Sequence, residues 1–421
     1  MEDVGEVPHV PASVGGGGAE FNKIGFARRA GMRFARRMKN VFPPALAAAV
    51  FSCCLAASAA EVRVQRAPAG ALQPQAIMDA SGTLHLVYLK GDPKACDVFY
   101  ARRAPGKTEF AAPLRVNSQP GSAMAIGSIR GAQFALGKGG RVHVAWNGTG
   151  QAAPKPATQS APLLYTRLND AGTAFEPQRN LINATLHLDG GGTVAADSEG
   201  NVYALWHGLP EGSPAGEVGR AVFLARSKDD GKTFERERAI SPEASGACGC
   251  CGMRAFADAQ GNVFALFRTA STALDRDMML LVSSDRGERF KGDYVHRWRV
   301  GQCPMSSEFF TESGGRVFGA WETAGPIQFA ALDAKTVKAA PPSGPMAMAK
   351  GKHPVVAVNK SGETLLVWTE GTAWQRGGAL VWQMFGSDGK PTGQPQRRDG
   401  IPVWGLAAAV AEPDGSFTVF Y

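Results

Sequence analysis

From Leu72 onward the chain alternates short apolar runs with polar corners, and one phrase keeps returning. It consists of an apolar strand, a polar turn closed by glycine, and a second apolar strand ending on an aromatic. It reads AIMDASGTLHLVY first, then FALGKGGRVHVAW, VAADSEGNVYALW, AFADAQGNVFALF, FTESGGRVFGAW, VAVNKSGETLLVW and AVAEPDGSFTVFY. Aligned on Gly82, Gly140, Gly200, Gly261, Gly315, Gly362 and Gly415, the copies place an aromatic at Tyr88, Trp146, Trp206, Phe267, Trp321, Trp368 and Tyr421. Strand-period alternation around a glycine turn predicts a β-hairpin. A hairpin recurring at intervals of about 50 to 60 residues predicts a β-propeller, whose blades bury their faces only against their neighbours.

Most of these inner hairpins are followed by an outer one, as in RAVFLARSKDDGKTFERERAI. A full blade is therefore four strands. The expected fold is all-β, a propeller of seven four-stranded blades, or six if one hairpin is an insertion. The last hairpin ends with the chain at Tyr421 and lacks an outer partner. An open sheet edge is a liability, so the segment EVRVQRA, Glu61 to Ala67, is expected to complete the final blade.

Composition agrees with many turns: 52 glycines, 27 prolines and 19% charged residues. The net charge of +8 is spread thinly, without basic blocks interleaved with aromatics, which argues against a nucleic-acid groove. Residues 1–60 stand apart. The stretch MRFARRMKNVFPPALAAAVFSCCLAASAA has a basic leader, an apolar core and small residues before Glu61, the pattern of a secretory signal. A signal should not begin so deep in a chain, so Met32 or Met38 is the expected start and the residues before it an upstream extension. The expected mature unit is a single propeller domain, 61–421, in the periplasm or secreted from a bacterial cell, without a transmembrane anchor. A lipobox-like reading around Cys53 offers a lipoprotein anchor instead.

The outer hairpin of the third copy turns on SKDDGKTF, Ser227 to Phe234. There glycine permits the corner, and Ser, Asp and Thr side chains satisfy turn amides. SSDRGERF, Ser283 to Phe290, matches apart from the Thr, and LNDAGTAF, Leu168 to Phe175, is a weaker copy. This S-x-D-x-G-x-T-F pattern resembles the Asp-box of BNR repeats in the sialidase, or neuraminidase-like, superfamily, over most of the mature chain. The resemblance implies a propeller fold. For activity it implies three arginines gripping a carboxylate, a tyrosine nucleophile tuned by a glutamate, and an aspartic acid. Arg130, Arg254, and Arg268 or Arg276 are available for the grip, with Glu308 and Asp277 as weak catalytic candidates. The first copy, LQPQAIMD, lacks the family's arginine, and none of the tyrosines falls on the loops that would carry the chemistry.

In a propeller the loops leading into and out of each inner hairpin share one face, opposite the glycine turns. That face should collect Arg130, Arg254, Arg268, Arg276, Glu308, His353 and His207. It should also bring the segment GACGCCGMRA, with Cys248, Cys250 and Cys251, beside Cys303 of GQCPMSSE in the next blade. In an oxidising compartment these cysteines are read as disulfides, as a copper or zinc site aided by His207, His353 or Met305, or as a reactive thiol. Two functions follow: a binding or scaffold protein whose Cys/Arg/His face takes a metal, a small anionic ligand, a carbohydrate or a protein partner, or an exo-glycosidase acting on an anionic sugar.

Overall fold

The computed structural model describes residues 60–421 apart from Ser128, His187 and 346–349. The leader, its start sites and Cys53 lie outside the described residues. Seven sheets are present. Six are four-stranded and antiparallel, with inner strands Leu72–Met78, Gln133–Leu136, Thr193–Ala196, Met253–Ala257, Phe309–Ser313 and Gly351–Val358 for blades 1 to 6. The seventh holds three strands: Ala408–Ala411, Phe417–Phe420, and Val62–Gln65 from the start of the domain. Successive inner strands pack on one another, and Ala408–Ala411 packs against both Gly351–Val358 and Leu72–Met78, so the ring closes at seven.

The closing strand is the predicted one. Val62 to Gln65 pairs in parallel with Phe417 to Phe420, and Ala67 N–H donates to the Tyr421 carbonyl at 3.0 Å. The final blade therefore stops at three strands, where a uniform four was expected.

Each repeated glycine sits in the left-handed region, from φ +70° at Gly315 to φ +97° at Gly200. Only glycine adopts that conformation cheaply, which fixes the repeat in the sequence. The recurring aromatics are all buried, with Trp146, Trp206 and Trp321 fully so. They fill the space between sheets and are not available as ligand platforms.

The Asp-box is built as its sequence implies and also joins blades. Ser227 Oγ donates to Asp229 Oδ1 (2.7 Å) and accepts from Gly231 N–H (2.9 Å), while Thr233 donates to Asp229 through both N–H and Oγ1. Phe234 meets the ring of Tyr165 in blade 2 edge-on, with centroids 4.8 Å apart. A Cβ on Gly231 would come within 1.9 Å of Tyr165 Oη. Phe175 stands edge-on to Tyr100 of blade 1 in the same way, at 5.7 Å. The box next door, at Asp285, repeats the serine and backbone contacts. Three of the six tyrosines, Tyr100, Tyr165 and Tyr203, are thus consumed by joints between blades.

Two outcomes are expected. A chain beginning at Ala67 loses the parallel pairing and should be less stable by on the order of 3 kcal/mol in denaturant titration. For Asp229, burial opposes the charge, but the Thr233 amide and hydroxyl and Ser227 hold its pKa down at about 2. Its stabilising contribution is complete above the ordinary carboxylate pKa and fades as pH falls towards 2. Asp229→Ala should flatten the acid limb of the stability curve between about pH 4 and 2.

Candidate functional site

Three segments from adjacent blades build the face around the cysteines. The first is the loop after blade 3's second strand, which closes on a short 3-10 turn, Glu217–Gly219. The second runs into blade 4 and carries Cys248, Cys250 and Cys251, and the third runs into blade 5 and carries Cys303. Glu217 organises the middle loop: its carbonyl accepts from Ala247 N–H (3.0 Å) and its Oε1 from Gly249 N–H (2.7 Å). Its other oxygen accepts from Arg276 Nη2 at 2.7 Å. A Cβ on Gly249 would lie 1.6 Å from Arg220 Nη1, so a side chain there would displace the Arg220 guanidinium. Cys248 N–H donates to the Arg268 carbonyl, and Gly252 N–H to the Ser306 carbonyl.

This turn directs three sulfurs to one point. Cys248 Sγ lies 3.3 Å from Cys250 Sγ and 3.4 Å from Cys251 Sγ, and all three fall within 4.8 Å of one another. A second triad, Glu217, Cys250 and Cys303, meets the same limit, so Cys250 belongs to both. Exposure grades across them: Cys248 and Cys251 are buried, Cys250 is half-buried and Cys303 is exposed. A disulfide requires sulfurs about 2.05 Å apart, and no described cysteine pair is at that distance. In this structure the described cysteines stand as free thiols, and the expected disulfide staple is not seen. The fifth described cysteine, Cys96, donates to the Asp92 carbonyl at 2.9 Å, and burial pushes its thiol up to about 11, as suits an inert packing group. In the cluster, burial opposes a charge on Cys251, yet the neighbouring thiols and Arg268 hold it well below the ordinary thiol value, while hydrogen bonding to Cys248 pushes Cys250 up.

The other predicted residues divide into three groups. Arg130 and Arg276 are engaged by acids, Arg130 with Asp189 and Arg276 with Glu217. Asp277 accepts from Arg297 Nη1 (3.0 Å) and Trp298 N–H (2.7 Å), which makes it a loop anchor. Behind the cysteines lies a buried polar layer. Arg268 donates to the Arg276 and Glu322 carbonyls and lies over the Trp298 ring. His207 Nε2 stands 3.3 Å from the Cys251 carbonyl, and its Nδ1 has no partner; neither His207 nor His353 is part of either ligand triad. Both carboxylate oxygens of Glu308 are unpartnered, and burial raises its pKa well above the usual range, with Arg268 opposing only in part. Burial lowers His353 to about 3, so it is a neutral ring beside Ser307 Oγ (3.1 Å).

Arg254 occupies the axis. Its Nη1 donates to Gln75 Oε1 across the ring, at 2.7 Å, and its guanidinium lies 4.8 Å from the Phe309 ring centroid. Below this bolt, towards the glycine turns, the channel opens into a cavity of about 620 Å3. Above it, beside Glu308 and His353, about 30 Å3 remains, room for little more than a water.

Sequence reasoning missed Glu217, Gln75 and Asp189. Asp189 lies in an irregular loop and Glu217 in a short 3-10 turn, neither with a motif of its own, and Gln75 is one of two glutamines in the strand Leu72–Met78.

No protein-family model matches the chain, and no curated protein does either. Among solved structures, the chain is similar to a protein of unknown function from Dyadobacter fermentans, at 15% identity over 79% of this chain and 95% of that one, TM-score 0.48. It is also similar to a leech intramolecular trans-sialidase complexed with 2,7-anhydro-Neu5Ac, at 8% identity over 79% and 78%, TM-score 0.47. A third is an ulvan lyase of polysaccharide lyase family PL25, at 11% identity over 78% and 80%, TM-score 0.46.

Because Glu308 is buried without a partner, its ionised form is costly. Glu308→Gln should leave stability at neutral pH unchanged or raise it by about 1 kcal/mol, read from chemical denaturation. A loss of stability would show that the carboxylate is used.

Proposed function

We propose that this chain is an exported binding propeller and that its cysteine face holds a thiophilic metal ion, copper(I) or zinc. The observation that carries this reading is the convergence of three sulfurs, Cys248 Sγ lying 3.3 Å from Cys250 Sγ and 3.4 Å from Cys251 Sγ, with all three within 4.8 Å of one another. Sulfur ligands bind such ions at about 2.3 Å, which needs sulfurs roughly 3.8 to 4.0 Å apart. Opening the cluster by about half an ångström supplies that spacing, a movement within rotamer adjustment of three cysteines on one turn. All-sulfur donation in a buried pocket favours soft, closed-shell ions over hard cations.

The glycosidase alternative finds less support. Tyr100, Tyr165 and Tyr203 are joints between blades, Asp277 and all four arginines are tied to partners, and no tyrosine lines the pocket beside Glu308. A carbohydrate or protein partner would have to use other parts of the face.

Metal analysis of the chain purified under reducing, oxygen-free conditions should find about one copper or zinc per chain. Cys251→Ser should weaken retention by roughly a hundredfold or more. Full thiol reactivity with no bound metal in the wild-type protein would overturn the reading. Release of a fluorogenic sialoside or uronide that disappears in Glu308→Gln would put the glycosidase in its place.

A further inference from the structure

Resting on the metal reading above, we propose that the cysteine face is a two-station relay. Glu217, Cys250 and Cys303 form an outer station that exchanges the ion with solvent-side carriers, and Cys250 passes it to an inner station of Cys248, Cys250 and Cys251. The geometry gives three reasons. Two ligand triads overlap in a single residue, Cys250. Burial increases steadily along the path, from exposed Cys303 through half-buried Cys250 to Cys248 and Cys251, at 1% and 0% exposure. The inner pair is also fixed while the pivot is not: Cys248 and Cys251 are locked by backbone bonds to Arg268 and Cys248, and Cys250 sits at the tip of the turn between them.

The chemistry suits the order. A carrier gives up the ion by exchange: the Cys303 and Cys250 thiols each form a bond as one carrier ligand leaves, each thiol proton passing to the leaving ligand or to water, so no naked ion is released. At the outer station the harder Glu217 carboxylate makes a mixed oxygen and sulfur set, weaker for a soft ion than three sulfurs. Each Glu217 oxygen accepts one hydrogen bond, from Gly249 or Arg276, and keeps a further lone pair. Moving inward breaks the bonds to Cys303 and Glu217 and forms bonds to Cys248 and Cys251, with the Cys250 bond kept throughout. The oxidation state of the ion is unchanged. A proton leaving Cys248 is taken up by the released Cys303 thiolate or by water.

The test is stopped-flow transfer of copper(I) from its bicinchoninate complex to the full chain, and back to excess chelator, with zinc and a chromophoric zinc chelator as a parallel arm. Cys303→Ser, whose side chain is exposed, should slow loading and release about tenfold or more, with a much smaller change in equilibrium affinity. Glu217→Gln should act in the same direction; its one acceptor oxygen replaces the two that serve Gly249 and Arg276, so amide hydrogen exchange at Gly249 is read in parallel to separate a lost ligand from a loosened loop. Cys250→Ser should lose both speed and affinity. Wild-type rates in Cys303→Ser, in a protein that binds the ion with wild-type stoichiometry, would overturn the relay while leaving the metal site standing. A wild-type chain that takes up neither ion would overturn both.

Discussion

Closure of the ring is the constraint on which everything else depends. No blade here could bury its own faces: each sheet is a thin slab whose aromatic row packs into the next slab, and the last slab must find the first. Four strand residues, Val62 to Gln65, make that join. Closure in turn fixes the register of every loop on the upper face. A separation of more than fifty positions between Cys250 and Cys303 becomes a contact because their loops lead into neighbouring blades.

Closure also concentrates polarity where a protein normally avoids it. Arg254, Arg268, Glu308, Glu322, His207 and His353 are all nearly buried at the centre of the upper face. Isolated charges in such a place are expensive, and the chain answers differently in each case. The histidines are neutral, the glutamates are pushed towards their protonated forms by burial, and Arg268 donates to carbonyls and leans on Trp298. Unsatisfied atoms remain on Glu308, Glu322, Arg268 and His207. Buried groups left in this state are enriched where a protein does something, since packing alone would have replaced them with apolar side chains.

The fold was almost wholly legible in the sequence because its determinants are local and repeated. A glycine at positive φ and an aromatic at fixed distance are written seven times, and even the closing strand followed from an unpaired last hairpin. The convergence of the cysteines followed from the same topology. What could not be read was partnership. Arg130 and Arg276 looked available for an anionic ligand until Asp189 and Glu217, elsewhere in the chain, were found beside them. Likewise Arg254 looked like a face residue, whereas Gln75, 179 positions away, draws it across the axis. Side chains that meet only after a ring closes leave no mark in spacing or periodicity.

The Arg254 bolt has a consequence for how the molecule is divided. With Gln75 and Phe309 it separates a nearly filled upper channel from the large cavity on the glycine-turn side. A guanidinium keeps its charge even when burial lowers its pKa to about 10, and it makes an electrostatic barrier to cations as well as a steric one. No cysteine lines either cavity, so an ion held by the cysteines as proposed would lie away from this axis, with Cys303 and Glu217 on its solvent side.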